Sequence, residues 1–426
     1  MINIKYSYLL LLFIAISCSK YDGPYIENTN NYSFTKFGGG QKSFAGNYFN
    51  DTVGISVYNN LTYSSNENLR ALFTIVCGGG TLNENTIDFS NGYASTKWKS
   101  GTSGNKQQLR VDIINKNEKL LNSIYINSFA FRENKWDTVT IEPDISIRDI
   151  LADTISEQTF MISNGFLHAQ TINYFDWEIV ENQNFNNPFG LYKDNNGTIY
   201  LSNWFGEIFK SYDSGGTWAM CTKPIPNHPY YYYMTVTPNG YIWASTYEYE
   251  YSLRCSRDGG QTWSADTVGL KPFDVVGDIF SLSNGDILFH SQNLRLYKST
   301  DDGKTWKTMQ APEYSTKLYV TDKDEIIIFN QADGFSIHKS TNLGQTYKQV
   351  YSVMPEYGTT AMEKTIVKRA NEYYILIAGY GIIKTTDFES FEMVWNNTEI
   401  IYLYMNHSGV LIANGFNTPT YYYNKN

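Results

Sequence analysis

The chain has 426 residues, 42% hydrophobic and 18% charged, enough for two or three domains with cores of their own. A formal net charge of −9 without a basic cluster argues against binding nucleic acid or an anionic membrane through bulk charge. Aromatic residues make up 16% of the chain, and tyrosine alone supplies 36 residues. Such side chains suit a pleated, half-buried surface, so an all-β protein is expected.

Lys5 precedes an apolar run from Tyr8 to Ile16, too short to span a bilayer as a permanent helix. It ends in Ala15-Ile16-Ser17-Cys18, which resembles a lipobox, with Ala15 where leucine is usual. The resemblance implies a signal peptide over residues 1–18, a lipidated Cys18 and a place at the outer membrane or cell surface. Two or more acyl chains make a stable anchor. Residues 19–48 are polar and read as a tether. The remaining cysteines, Cys77, Cys221 and Cys255, fit no metal-ligand spacing, and their odd number favours buried free thiols. No metal and no cofactor is expected.

Residues 49–142 alternate like strands: Val53, Ile55 and Val57 against Thr52, Gly54 and Ser56. Leu72 to Val76 is an apolar run stopped by Gly78-Gly79-Gly80, and Asn91-Gly92 is a hairpin signal. The glycine-rich turn, then Gly92, Ala94, Trp98, Gly101 and Gly104, resembles the bacterial Ig-like domains of the invasin and intimin type. That implies an Ig-like β-sandwich acting as a spacer or adhesin. Residues 143–171 read as a linker, with a short helix over Ile147–Ile155.

The second half repeats. SYDSGGTW begins at Ser211, SRDGGQTW at Ser256, STDDGKTW at Ser299, STNLGQTY at Ser340 and a worn TTDFESFE at Thr385, spaced 41 to 45 residues apart. Short acids such as Asp213, Asp258 and Asp301 accept backbone N–H groups inside a tight turn. Gly215, Gly260 and Gly303 supply backbone angles that other residues avoid. Ser211, Ser256 and Ser299 open the hairpins, and Trp218, Trp263 and Trp306 are placed to pack between sheets. Two further strands joined by turns such as Asn196-Gly197, Asn239-Gly240 and Asn284-Gly285 precede each copy. Each period therefore holds four strands, one propeller blade. The consensus S-x-D-x-G-x-T-W resembles the Asp box, or BNR repeat, of sialidase-like and sortilin-like propellers. The reading predicts a six-bladed propeller over residues 172–426. Its incomplete last unit would be closed by Trp177–Val180 beside Tyr421–Tyr423.

In that family the boxes and the first turns share one face, and ligands bind the other. The opposite face here would carry Trp204, Phe205 and Glu207, then Asn227, His228 and Tyr230, then Tyr247, Glu248 and Tyr249. Phe273, Asp274, His290, Gln292, Glu313 and Tyr314 follow. Asp333, Glu356, Tyr357, Tyr380, Phe416 and Asn417 complete the rim. Aromatics mixed with amides and acids suit sugar faces or peptide side chains.

Sialidases hold a substrate carboxylate with an arginine triad. Residues 172–426 offer only Arg254, Arg257, Arg295 and Arg369, and Arg257 falls inside a box. A sialidase is disfavoured. The sequence points to a non-catalytic propeller binding a glycan or a surface or secreted protein. The alternative is a glycoside hydrolase with a carboxylate pair in the pocket.

Overall fold

The computed structural model describes residues 32–59, 69–102, 105–132, 135–139, 147–153, 158–170, 177–180, 185–226, 233–246, 250–331, 334–354, 366–407, 409–415 and 420–423. Every regular element among them is a β-strand. The chain divides into two compact units, Met1–Glu133 with Ile172–Tyr174 and Asn134–Thr171 with Phe175–Asn426.

In the first unit, Tyr32–Phe37, Val53–Asn59 and Tyr93–Thr96 form a three-stranded antiparallel sheet. Lys42–Phe44, Leu120–Phe131, Asn105–Asn115, Leu69–Cys77 and Thr86–Asp88 form a five-stranded sheet, in which Lys42–Phe44 runs parallel to Phe129–Phe131. The period-two pattern sends Val53 and Ile55 of one sheet, and Ala71, Phe73, Leu109 and Val111 of the other, into a shared core with Trp98. Tyr32 and Phe34 pack against that core, so part of the expected tether is strand. Its apolar residues alternate with Ser33 and Thr35, which made the segment look merely polar.

The second unit is a β-propeller, with seven four-stranded sheets among its described residues. The first blade is Ile147–Asp153, Gln158–Ser163, Phe166–Gln170 and Trp177–Ile179. The second runs from Pro188–Lys193 to Ala219–Met220, the third from Tyr233–Val236 to Ser264–Ala265, and the fourth from Val276–Ser281 to Lys307–Thr308. The fifth runs from Ser315–Val320 to Lys348–Val353 and the sixth from Ile366–Arg369 to Glu392–Trp395. Tyr402–Met405, Leu411–Asn414 and Thr420–Tyr423 form the seventh, completed by Trp136–Val139.

Three expectations are corrected. Among the described residues there are seven blades rather than six, because Ile147–Asp153, Gln158–Ser163 and Phe166–Gln170 are strands instead of a linker with a helix. This blade lacks the S-x-D-x-G-x-T-W signature. Its hairpin signal was Asn164-Gly165, both at positive φ (51° and 80°) between apolar flanks. The ring is closed by Trp136–Val139 paired with Thr420–Tyr423, not by Trp177–Val180. Trp177–Ile179 pairs instead with His168–Gln170 as the outer strand of the first blade. Both segments carry tryptophan followed by an acid, so local pattern could not separate them. Trp136 stacks on Trp395 of the sixth blade at 4.6 Å and 17°. Finally, Cys221 and Cys255 are buried free thiols, with burial pushing Cys221 up to about 11, whereas Cys77 is disulfide-bonded.

Neighbouring blades interlock at the hairpin glycines, all at positive φ. A Cβ on Gly215 would lie 2.7 Å from Phe160 of the first blade, and one on Gly260 would lie 2.6 Å from the Cys221 sulfur beside the second. One on Gly303 would lie 2.2 Å from Trp243 of the third, and one on Gly344 would lie 2.4 Å from Met309 beside the fourth. First strands of neighbouring blades are tied as well. Asp149 accepts the Leu191 N–H at 2.8 Å, and Asp278 accepts that of Leu318 at 3.0 Å. Between the seventh blade and the first, the His407 N–H donates to Thr159 Oγ1 at 3.0 Å and the Tyr404 hydroxyl donates to the Arg148 carbonyl at 3.4 Å.

Candidate binding face of the propeller

Antiparallel alternation fixes which loops share a face. Turns between strands one and two, and between three and four, lie at one end of every blade. Turns between two and three, and the connections to the next blade, lie at the other.

The repeated hairpins hold the first end. The Ser211 hydroxyl donates to Asp213 at 2.8 Å and accepts the Gly215 N–H at 2.8 Å. Asp213 also accepts the Thr217 N–H at 2.8 Å and its hydroxyl at 2.6 Å. Ser256-Asp258-Gly260-Thr262 and Ser299-Asp301-Gly303-Thr305 repeat the set. The Thr217 and Thr305 hydroxyls, then their N–H groups, hold Asp213 and Asp301 down to about 2. Asp258 reaches about 2 as well: burial pushes it upward, and its bonds from Thr262 outweigh that. The indoles of Trp263 and Trp306 donate back to the Thr222 and Asp266 carbonyls, at 2.9 and 3.0 Å. Every one of these groups serves the fold. Arg257 belongs here too, bonded to Asp266 at 2.8 Å and Asp302 at 3.1 Å.

At the opposite end, the second-blade turn is built on Asn203. Its Oδ1 accepts the N–H groups of Phe205 and Glu207, and its Nδ2 donates to the Phe185 carbonyl at 2.8 Å and to Glu207 at 2.5 Å. Asn186 donates to the same Glu207 oxygen at 3.4 Å. Thus braced, the turn leaves Trp204 37% exposed and Phe205 54% exposed. Trp204 meets Phe189 edge to face at 4.8 Å and 84°. Arg148, second residue of the first blade's first strand, lies over Phe189 at 3.7 Å and over the Trp204 ring at 5.1 Å. Its Nε donates to the Phe189 carbonyl at 3.0 Å. Sequence reasoning missed Arg148 because it fell in the supposed linker.

Asp274 is buried and committed. Arg295 donates to it at 2.9 Å, the Tyr297 hydroxyl at 2.5 Å and the Lys271 N–H at 3.0 Å. Burial and then this carboxylate push Tyr297 upward. Phe273 and Tyr314 are 42% and 58% exposed, both at positive φ. His290 is 1% exposed; its Nε2 meets the Ser315 carbonyl at 2.9 Å, and burial lowers its pKa. The Gln292 amide donates to the Val276 carbonyl at 3.2 Å. The Tyr351 hydroxyl donates to that of Tyr380 at 3.3 Å, and Tyr380 packs against the core between the fifth and sixth blades. The Asn330 amide donates to the Glu313 carbonyl, repeating the Asn203–Phe185 brace three blades on. Of the predicted rim, then, Trp204, Phe205, Phe273 and Tyr314 present rings to solvent, while Asp274, His290 and Tyr380 serve packing. Asn227, His228, Tyr230, Tyr247, Glu248, Tyr249, Asp333, Glu356, Tyr357, Phe416, Asn417 and the lipidation site Cys18 lie outside the described residues.

No family model matches the chain. It is 28% identical to a sortilin from Danio rerio over 180 residues, covering 40% of this chain and 22% of that protein. The chain thus spans about a fifth of the curated relative it matches. Among solved structures, streptogramin B lyase superposes with a TM-score of 0.53 at 14% identity, covering 68% of this chain and 98% of its own. YCF48 bound to D1 peptide gives 0.50 at 11%, covering 70% and 99%. The extracellular domain of BT4673 from B. thetaiotaomicron, described as a hybrid two component system, gives 0.54 at 10%, covering 90% and 58%. At these identities the likeness establishes the propeller fold alone.

Proposed function

We propose that this chain is a surface lipoprotein whose Asp-box propeller binds a glycan, without turnover, on the face opposite the hairpins. The first unit is read as an Ig-like spacer, and Cys18 as the lipid attachment. One contrast supports the reading: four aromatic rings on that face are exposed, whereas two of its acids, Glu207 and Asp274, are bonded to Asn203, Asn186, Arg295 and Tyr297 and a third, Glu313, is exposed. Exposed rings stack on sugar faces, while a glycosidase needs two carboxylates about 5 to 10 Å apart and available to the substrate. Fold does not choose between these roles, since propellers of similar fold include streptogramin B lyase and peptide-bound YCF48.

The test is a glycan array on the purified full chain, beside a hydrolysis assay on the same glycans. Binding without turnover, weakened by Trp204→Ala, supports the reading. Turnover abolished by replacing one pocket carboxylate overturns it in favour of an enzyme. Capture of a protein ligand with no glycan bound also overturns it and makes a partner protein the ligand.

A further inference from the structure

Arg148 is exposed, and among the described residues its side chain meets the Phe189 face at 3.7 Å, the Trp204 ring at 5.1 Å and, through Nε, the Phe189 carbonyl at 3.0 Å. Among the described residues, nothing bonds to Nη1 or Nη2. Three of the other four described arginines of the propeller differ. Arg257 and Arg295 are in ion pairs, and Arg254 Nη1 donates to the carbonyls of Tyr251 and Leu253. Arg148 is therefore a guanidinium held over the rings of Phe189 and Trp204, with its terminal fork left to meet something else. A planar fork with two parallel N–H groups matches a carboxylate bidentately.

Position adds to this. Arg148 and Phe189 are each the second residue of a blade's first strand, and Trp204 lies in the adjoining turn between strands two and three. All three sit at the end opposite the hairpins, where first strands of neighbouring blades meet. The fork and the Trp204 ring are neighbours across a first-to-second-blade boundary, offering one anion site and one stacking surface side by side.

We propose that this pair is the subsite for an acidic sugar, a pyranose bearing its carboxylate directly on the ring, with the ring against Trp204 and the carboxylate on Arg148. In a uronic acid the two recognised features are one bond apart, as close-set as the two protein groups. The inference rests on the glycan-binding reading above and narrows its ligand.

The experiment compares oligouronides with their carboxyl-reduced, neutral counterparts on the full chain, by calorimetry. The expected result is at least roughly tenfold weaker binding of the reduced sugars, and a similar loss for the oligouronide in Arg148→Gln. Arg148→Lys keeps charge without the fork and should recover only part of the affinity. Thermal unfolding of each variant separates this from misfolding. Equal affinity for oligouronide and reduced sugar, or unchanged affinity in Arg148→Gln, overturns the acidic-sugar subsite while leaving glycan binding intact. Binding of no glycan overturns both readings. Binding only of carboxylate-bearing peptides, lost in Arg148→Gln, overturns the sugar assignment.

Discussion

The hairpin glycine Gly303 of the fourth blade lies flat against Trp243 of the third: a Cβ placed on it would come within 2.2 Å of the indole Cη2. Trp243 is fully buried and meets Trp306 edge to face at 5.8 Å and 71°. The hairpin motif is thus a local turn and a blade-to-blade contact at once.

Gly303→Ala should destabilise the propeller by overpacking, at about 1–3 kcal/mol, beyond the cost of placing alanine at φ 79°. Gly285→Ala is the control, because Gly285 has φ 88° with nothing within 4 Å of its Cβ position. Denaturant midpoints of the two variants measure the difference. Equal destabilisation would contradict the packing account.

Acid should weaken the hairpins in a defined window. Asp213, Asp258 and Asp301 are held at about 2, below the usual carboxylate value near 3.9. A depressed folded-state pKa gives stability that is fully present above the unfolded value and lost as pH falls through the folded one. The melting temperature should therefore drop between about pH 4 and pH 2. Combined Asp213→Asn, Asp258→Asn and Asp301→Asn should flatten that drop. The protein already carries Asn342 at this position of the fifth blade; its Oδ1 accepts the Ser340 hydroxyl and the Thr346 N–H as the aspartates do, while its Nδ2 donates to the Thr346 hydroxyl. Melting curves from pH 2 to 7 check both statements.

Ring closure can be read chemically. Thr138 is paired with Tyr421 in the closing sheet. Cysteines at these two positions should cross-link on mild oxidation and raise the thermal midpoint. Cysteines at Glu178 and Tyr421 should not cross-link, because Glu178 pairs with Ala169. Non-reducing electrophoresis and calorimetry give the answer.

The proposed lipid anchor is tested at Cys18. Cys18→Ala should move the protein from the membrane to the soluble fraction, and intact mass of the mature N-terminal peptide should show acylation. Unchanged fractionation, or a Cys18–Cys77 disulfide in that peptide, would count against the anchor.

Much of the fold was legible because it is local. The S-x-D-x-G-x-T-W copies, the Asn-Gly turns and the Val53-Ile55-Val57 alternation each specify a hairpin or strand within a few residues, and the structure contains those elements. Their period fixed four strands per blade and the loops that share a face. Sequence alone could not count the blades, since the first has no S-x-D-x-G-x-T-W copy and its Phe160, Ile162 and Leu167 share their core with Leu191, Ile199 and Leu201 of the next blade. Nor could it choose the closing strand, because Trp136 and Trp177 offer the same local pattern and their partners lie far along the chain. Only tertiary structure separated exposed rings from packed ones, leaving Phe205 in solvent and Tyr380 against Tyr351. It alone brought Arg148 onto Phe189 and beside Trp204, because the geometry of a ring of blades, not the order of residues, decides which first strands become neighbours.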